Sequence, residues 1–250
     1  IQAINDHDKL VLRLDGIYFN SEQDWKNLNQ PIKSAYDLAK TVIFQSEFNK
    51  KLSEKYFGKH SSSCVIHNGT DVETISSIKP LQHPVTDRFE RVWSCASSWR
   101  PHKRLNENIS YFLEHSSERD CLVVAGSNPD FETAHPRVFY VGNLDWPVLV
   151  SLYKRSDYFL HLALMDHCPN VVVDARASGC HIICSDSGGT KEVAGKNSTL
   201  IKDMEWDFSP FELYKPPKLD FSLKSNNDFD SDISISAVAK NYKKVFTELS

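Results

Sequence analysis

Asp166 and Asp174 stand eight positions apart in the stretch Met165-Asp166-His167-Cys168-Pro169-Asn170-Val171-Val172-Val173-Asp174-Ala175-Arg176-Ala177-Ser178-Gly179. Residues 170–178 read as a helix, so one carboxylate falls just before its start and the other within its first turns. A helix N-terminus offers unpaired N–H groups and the positive end of a dipole, which suits an anion such as phosphate. Two carboxylates beside it can accept hydrogen bonds from sugar hydroxyls. The combination suggests a pocket for a nucleotide-linked sugar. The blander alternatives are a helix-dipole role for Asp174 and a turn-capping role for Asp166.

The elements around this pair read as alternating buried strands and helices, the pattern of a parallel α/β protein. Strands are expected at 10–14, 41–44, 64–66, 91–96, 121–125, 138–141, 158–162 and 181–184. Helices are expected at 32–39, 46–57, 104–115, 146–154, 170–178 and 235–249. The last of these carries Val238, Val245 and Phe246 on its apolar face. The Pro80- and Pro84-bearing stretch 78–90 reads as a linker, and 216–232 as a polar excursion. The expected organisation is a partial N-terminal α/β domain (1–80), a linker (81–90), a second α/β domain (91–234) and a C-terminal helix (235–250) packing back across both.

Open parallel sheets bind ligands outside the carboxyl ends of their strands. Ser98, Arg100 and Lys103 follow one predicted strand, Gly126 the next, Asp166 another, and Gly188-Gly189 the last strong one. Arg100 and Lys103 could equally be a solvated basic loop. Gly188-Gly189 is a turn on any reading.

The 250 residues suffice for one large or two modest domains. A net charge of -4 argues against a general nucleic-acid binder. No apolar run approaches membrane-spanning length and no signal peptide is visible. The first residue is Ile rather than Met, which reads as a processed or truncated chain. The six cysteines form no CxxC pair, so buried reduced thiols and a cytoplasmic setting are expected. The histidines lack ligand spacing, so no metal and no separate cofactor are expected. Sequons at Asn68, Asn108 and Asn197 are read as unused. Lys50, Lys51, Lys55 and Lys59 read as a solvated helix face, with weak peripheral membrane contact as the alternative.

The 42–192 stretch resembles a GT-B glycosyltransferase of the large retaining family called family 4, or glycosyl transferases group 1. That family carries Glu-x7-Glu at the start of a helix ending in Ala-x-Gly. The frame here is Asp166-x7-Asp174, then Ala177-Ser178-Gly179. Ser187-Gly188-Gly189-Thr190-Lys191-Glu192 resembles the family's Gly-Gly-x-x-Glu loop. Trp99-Arg100-Pro101-His102-Lys103 resembles its basic phosphate loop, and Val65-Ile66-His67-Asn68-Gly69-Thr70-Asp71 the turn before its linker.

The resemblance implies a fold of two Rossmann-like domains, the N-terminal one incomplete here. It implies that Asp166 contacts the donor sugar and Asp174 the ribose. Lys103 and Arg100 would neutralise the diphosphate. Cys168, Pro169, Asn170 and Val171 would form the loop and amides around it, with Gly188, Gly189, Glu192, Ser98 and Gly126 completing the donor site. Asp15 falls where the family often has a His near the reacting carbon, although local structure is the simpler reading for it. The family's basic Arg falls at Ser98, leaving Arg100 as its replacement, and both carboxylates are one methylene shorter than Glu.

The implied activity is metal-independent, retaining transfer from a nucleotide-diphosphate sugar (UDP or GDP linked) to a glycan, lipid-linked or small-molecule acceptor. Two alternatives stay open. One is a non-catalytic nucleotide-sugar-binding module, completed by self-association or a partner subunit. The other is a GT-B nucleotide-sugar epimerase, against which the Asp-x7-Asp frame argues.

Overall fold

A computed structural model describes residues 10–129 and 131–249. Two parallel sheets organise the chain. The N-terminal unit comprises β1 (Val11–Leu14), α1 (Trp25–Leu38), β2 (Thr41–Phe44), α2 (Glu47–Phe57), β3 (Ser63–Val65) and α3 (Val72–Ser77), with strand order β1-β2-β3. All four residues of β2 are buried, as a central parallel strand covered on both faces must be. Ser46 caps α2 by accepting from Asn49 N at 3.0 Å, and Asp24 and Asp71 cap α1 and α3 in the same way. Such caps each contribute about 1 kcal/mol.

Helix α1 starts seven residues before its expected start at Ile32 and runs through Pro31. Proline removes one i to i−4 hydrogen bond and normally ends a helix. Tertiary contacts override it here. The Asn29 side chain donates to Tyr18 O (2.7 Å) and accepts from Tyr18 N (2.9 Å), pinning the helix to the segment after β1.

The second unit comprises β4 (Arg91–Ser98), α4 (Leu105–His115), β5 (Asp120–Ser127), β6 (Val138–Gly142), α5 (Trp146–Arg155), β7 (Tyr158–His161), α6 (Asn170–Ala177), β8 (His181–Ser185), α7 (Thr190–Ala194), β9 (Thr199–Ile201) and β10 (Lys224–Ser225). Its strand order is β10-β9-β8-β7-β4-β5-β6, parallel except for β10. The chain runs outward from β4 through β5 to β6, then returns to the other side of β4 for β7, β8 and β9. The strand order therefore reverses between β4 and β7, and the crevice lies at such a switch point. Two apolar clusters, one on each face, bury this sheet. One contains Val92, Val123, Phe159 and Ile182, the other Trp93, Leu122, Leu160 and Ile183.

Residues 78–90 cross between the units along α5, with Leu81 N donating to Ser151 O (2.8 Å) and Arg155 donating to Thr86 O (3.2 Å). Helix α8 (Ile235–Glu248) enters through a bridge to Thr70, whose amide donates to Ile233 O (2.8 Å). Its Asn241, Lys244 and Val245 line a groove against β3. Val238 lies over Gly69. Phe246, expected on the buried face, is 53% exposed, because the covered stripe runs through Val238 and Val245 instead.

Candidate functional site

The switch point holds the site. β4 ends at Ser98, and Pro101–Lys103 form a tight 3-10 turn. Arg104 then adopts a left-handed conformation (φ 53°) before α4 begins. That backbone is costly for a residue with a side chain. It is held by a fully buried guanidinium that grips Asp203 with two hydrogen bonds (2.6 and 3.1 Å) and donates to Pro217 O (2.9 Å). Asn108 adds a brace, donating to Arg104 O (2.7 Å) and accepting from Leu162 N (3.2 Å). Lys103 is thereby aimed across the crevice.

Asp166 meets it from the loop after β7. Lys103 Nζ donates to Asp166 Oδ2, and His161, the last residue of β7, contacts the same oxygen at 2.9 Å. Burial alone would raise the Asp166 carboxyl, but Lys103 and His161 outweigh it and hold the group well below the usual carboxylate range. Burial lowers His161, so the imidazole is neutral at pH 7 and its Nε2–H donates. Both contacts fall on Oδ2. Among the described residues no hydrogen bond reaches Oδ1, which can accept from a ligand.

Asp166, Lys103, Arg100 and Ser98 line a cleft of about 540 Å³ together with Pro169, Asn170 and Val171 at the start of α6. The opposite wall comes from the N-terminal unit, through residues 17–20 and Gln23. Two further histidines border it. Burial and the neighbouring Lys103 push His102 down to about 3, and burial pushes His167 down to about 4. The Nδ1 atom of each is buried without a partner.

Gly188 and Gly189 act on the backbone of the same loop. Gly189 N donates to Asp166 O at 2.7 Å. A Cβ on Gly188 (φ 73°) would overlap the Asp166 carbonyl, and one on Gly189 the His167 carbonyl. Gly188 lines a separate, smaller pocket, and neither glycine borders the main cleft.

The remaining expected site residues lie elsewhere. Asp174 is nearly buried within α6 and accepts from the Trp146 indole at 3.0 Å, outside the cleft lining. Asp15 is exposed, pairs with Arg13 and is not part of the cleft wall. Gly126 (φ 114°) passes so close to Ser97 that any Cβ would overlap its carbonyl, which gives this glycine a packing reason. The Cys168 thiol is buried, pushed up to about 12, and accepts from Asn68 N at 3.5 Å. Glu192 is 2% exposed, and its carboxylate is taken up by α2 and His67.

His161, Trp146 and Asn68 were missed as partners. His161 alone left a trace, a polar residue closing an apolar strand five positions before Asp166. Among the described residues no group of His, Cys, Asp and Glu could hold a metal ion, and no helix is long and apolar enough to cross a membrane.

Two facing units with parallel sheets and a crevice between them define a GT-B fold. Residues 92–208 match the family described as glycosyl transferases group 1. No curated protein matches the chain in a sequence comparison. Among solved structures, sucrose-phosphate synthase from Thermosynechococcus elongatus superposes with a TM-score of 0.68 at 13% identity, covering 96% of this chain and 67% of that one. HepE from Anabaena, in complex with UDP, superposes with a TM-score of 0.70 at 16% identity, covering 96% and 72%. The same protein in complex with UDP-glucose gives 0.62 at 19% identity, covering 82% and 60%. The chain thus spans roughly two thirds of the length of these structures.

Proposed function

We propose that the protein transfers a sugar, with retention at the anomeric carbon, from a nucleotide-diphosphate sugar to an acceptor hydroxyl. The observation that carries this reading is the pairing of Lys103 with Asp166 at the β4/β7 switch point, beside the N-terminus of α6. Asp166 Oδ1 would accept from a donor-sugar hydroxyl. Lys103 and Arg100 would neutralise the departing diphosphate, the electrostatic stabilisation that usually dominates such chemistry. The α6 N-terminus would add its dipole. With cations and amides in that role, the chemistry needs no metal and no separate cofactor.

The structures of HepE in complex with UDP and UDP-glucose support a uridine donor. Asp174 would reach the ribose only by sharing its carboxylate with Trp146. The acceptor, a glycan, a lipid-linked sugar or a small molecule, would enter along residues 17–23. Free, largely buried thiols support a reducing compartment such as the cytoplasm.

A thermal-shift screen of UDP, GDP, ADP and their sugars tests the reading, since a ligand bound only by the folded state raises stability by mass action. At least one nucleotide diphosphate should shift the transition, and its sugar should be turned over when acceptors are supplied. No shift with any of them rejects the proposal.

A second reading is favoured by one observation. Lys103, Asp174 and Glu192 are all already partnered within the chain. A binding module that holds a nucleotide sugar without transferring it would show the shift but no product.

A further inference from the structure

Glu192 sits on α7, immediately after the Gly188-Gly189 turn, yet its carboxylate faces the other unit. Helix α2 leaves its first N–H groups without helical partners. Ser46 takes one, Asn49 N (3.0 Å). Glu192 takes two more, with Oε2 accepting from Glu47 N (2.7 Å) and Oε1 from Phe48 N (2.9 Å). His67 Nε2 reaches Oε2 at 2.9 Å. A carboxylate from one unit thus completes the cap of a helix in the other, at 2% exposure.

The neighbouring contacts tie this cap to the site. Gly189 holds the Asp166 carbonyl (2.7 Å), and a Cβ there would also come within 2.6 Å of Ser46 Oγ. The cap of α2, the glycine turn and the Asp166-His167 backbone are therefore one close-packed stack. On the far side of the loop, Asn68 donates to Cys168 O (2.9 Å) and to Asn170 Oδ1 (2.8 Å). Adjacent residues His67 and Asn68 grip both Glu192 and the segment leading into α6.

We propose that Glu192 is a positioning residue, clasping the N-terminal unit onto the Gly-Gly turn so that closure of the two units and placement of Asp166 are a single event. Separating the units strips a buried carboxylate of three donors at once, so the clasp is all-or-none. Its catalytic consequence rests on the transfer reading above. The contact itself does not.

The test compares the wild-type chain with Glu192→Ala and, as a milder lesion that removes one donor only, His67→Ala. Three quantities are read on folded protein. These are the radius of gyration by small-angle X-ray scattering, the Kd for UDP, and kcat with a UDP-sugar found active in the screen. The transfer reading puts the nucleotide-binding groups Lys103, Arg100 and the α6 N-terminus on the second unit, so UDP affinity should stay within about twofold while kcat falls about tenfold or more in Glu192→Ala. The radius of gyration should rise, and His67→Ala should move kcat and radius the same way by less. An unchanged radius with unchanged kcat overturns the clasp, and so does a parallel loss of UDP affinity and kcat, which marks general damage. If wild-type protein binds no nucleotide, the transfer reading fails by itself, and the scattering comparison still decides the clasp.

Discussion

Lys103 and Asp166 form an ion pair across the switch between β4 and β7, with only 17% and 14% of their side chains exposed. Lys103 follows β4 and Asp166 follows β7, and each serves as the other's counter-ion. Arg100 lines the same cleft and adds a positive charge beyond this pair.

Replacing Lys103 by Met strands the Asp166 carboxylate. Breaking a largely buried pair by removing one partner should cost about 3 kcal/mol of stability, read from urea denaturation. If Lys103 neutralises the departing diphosphate as proposed, its loss should lower kcat by about 100-fold, beyond any change in folded fraction. Turnover at the wild-type rate would remove Lys103 from the transfer step.

Asp174 shares its carboxylate with Trp146 (3.0 Å). If that carboxylate also holds the ribose, Asp174→Ala should weaken UDP binding by about tenfold, worth about 1.4 kcal/mol. Trp146→Phe, which frees the carboxylate while keeping an aromatic ring, should leave affinity equal or improved. Calorimetric titration of both variants separates the roles. An unchanged Kd in Asp174→Ala leaves Asp174 as a structural partner of Trp146.

Two histidines should make the protein acid-sensitive well above the carboxylate range. Burial holds His102 down to about 3 and His167 to about 4, whereas an unfolded His takes up its proton near pH 6.5. Between those values the unfolded chain binds protons that the folded chain refuses, so stability falls as pH drops. The slope is on the order of 1 kcal/mol per pH unit for each imidazole from about pH 6 to 4. Denaturation series at pH 7, 5.5 and 4.5 measure it. His167→Phe, in a site walled by Phe19 and Phe48, should flatten the curve. Asp166 acts at lower pH. Its folded-state value lies below the ordinary one, so its stabilisation is full above about pH 4 and is lost only as pH falls further.

Gly126 and Gly189 should tolerate no side chain. Either Gly→Ala change drives a Cβ into a backbone carbonyl, of Ser97 or of His167. Each should cost more than about 2 kcal/mol, seen as a lower urea midpoint. Gly179 serves as the control. Its position is open but left-handed (φ 98°), so alanine there should cost only about 1 kcal/mol.

The residues themselves determined the parallel α/β plan, because buried strands and capped helices alternate with local signals such as Ser46 and Gly58. The Asp166-x7-Asp174 frame and Lys103 were legible for the same reason, since a loop, a helix start and a strand end are each written in a few adjacent residues. The tertiary structure alone decided who meets whom. Strand order puts β7 beside β4 and so Asp166 beside Lys103, although 63 positions separate them. It turned Asp174 toward Trp146, left Asp15 outside the cleft and gave Glu192 to α2. Sequence spacing fixes the face of an element on which a carboxylate stands. Hydrogen-bond partners are settled by packing between distant segments, where a buried carboxylate takes whichever donors the fold brings within 3 Å.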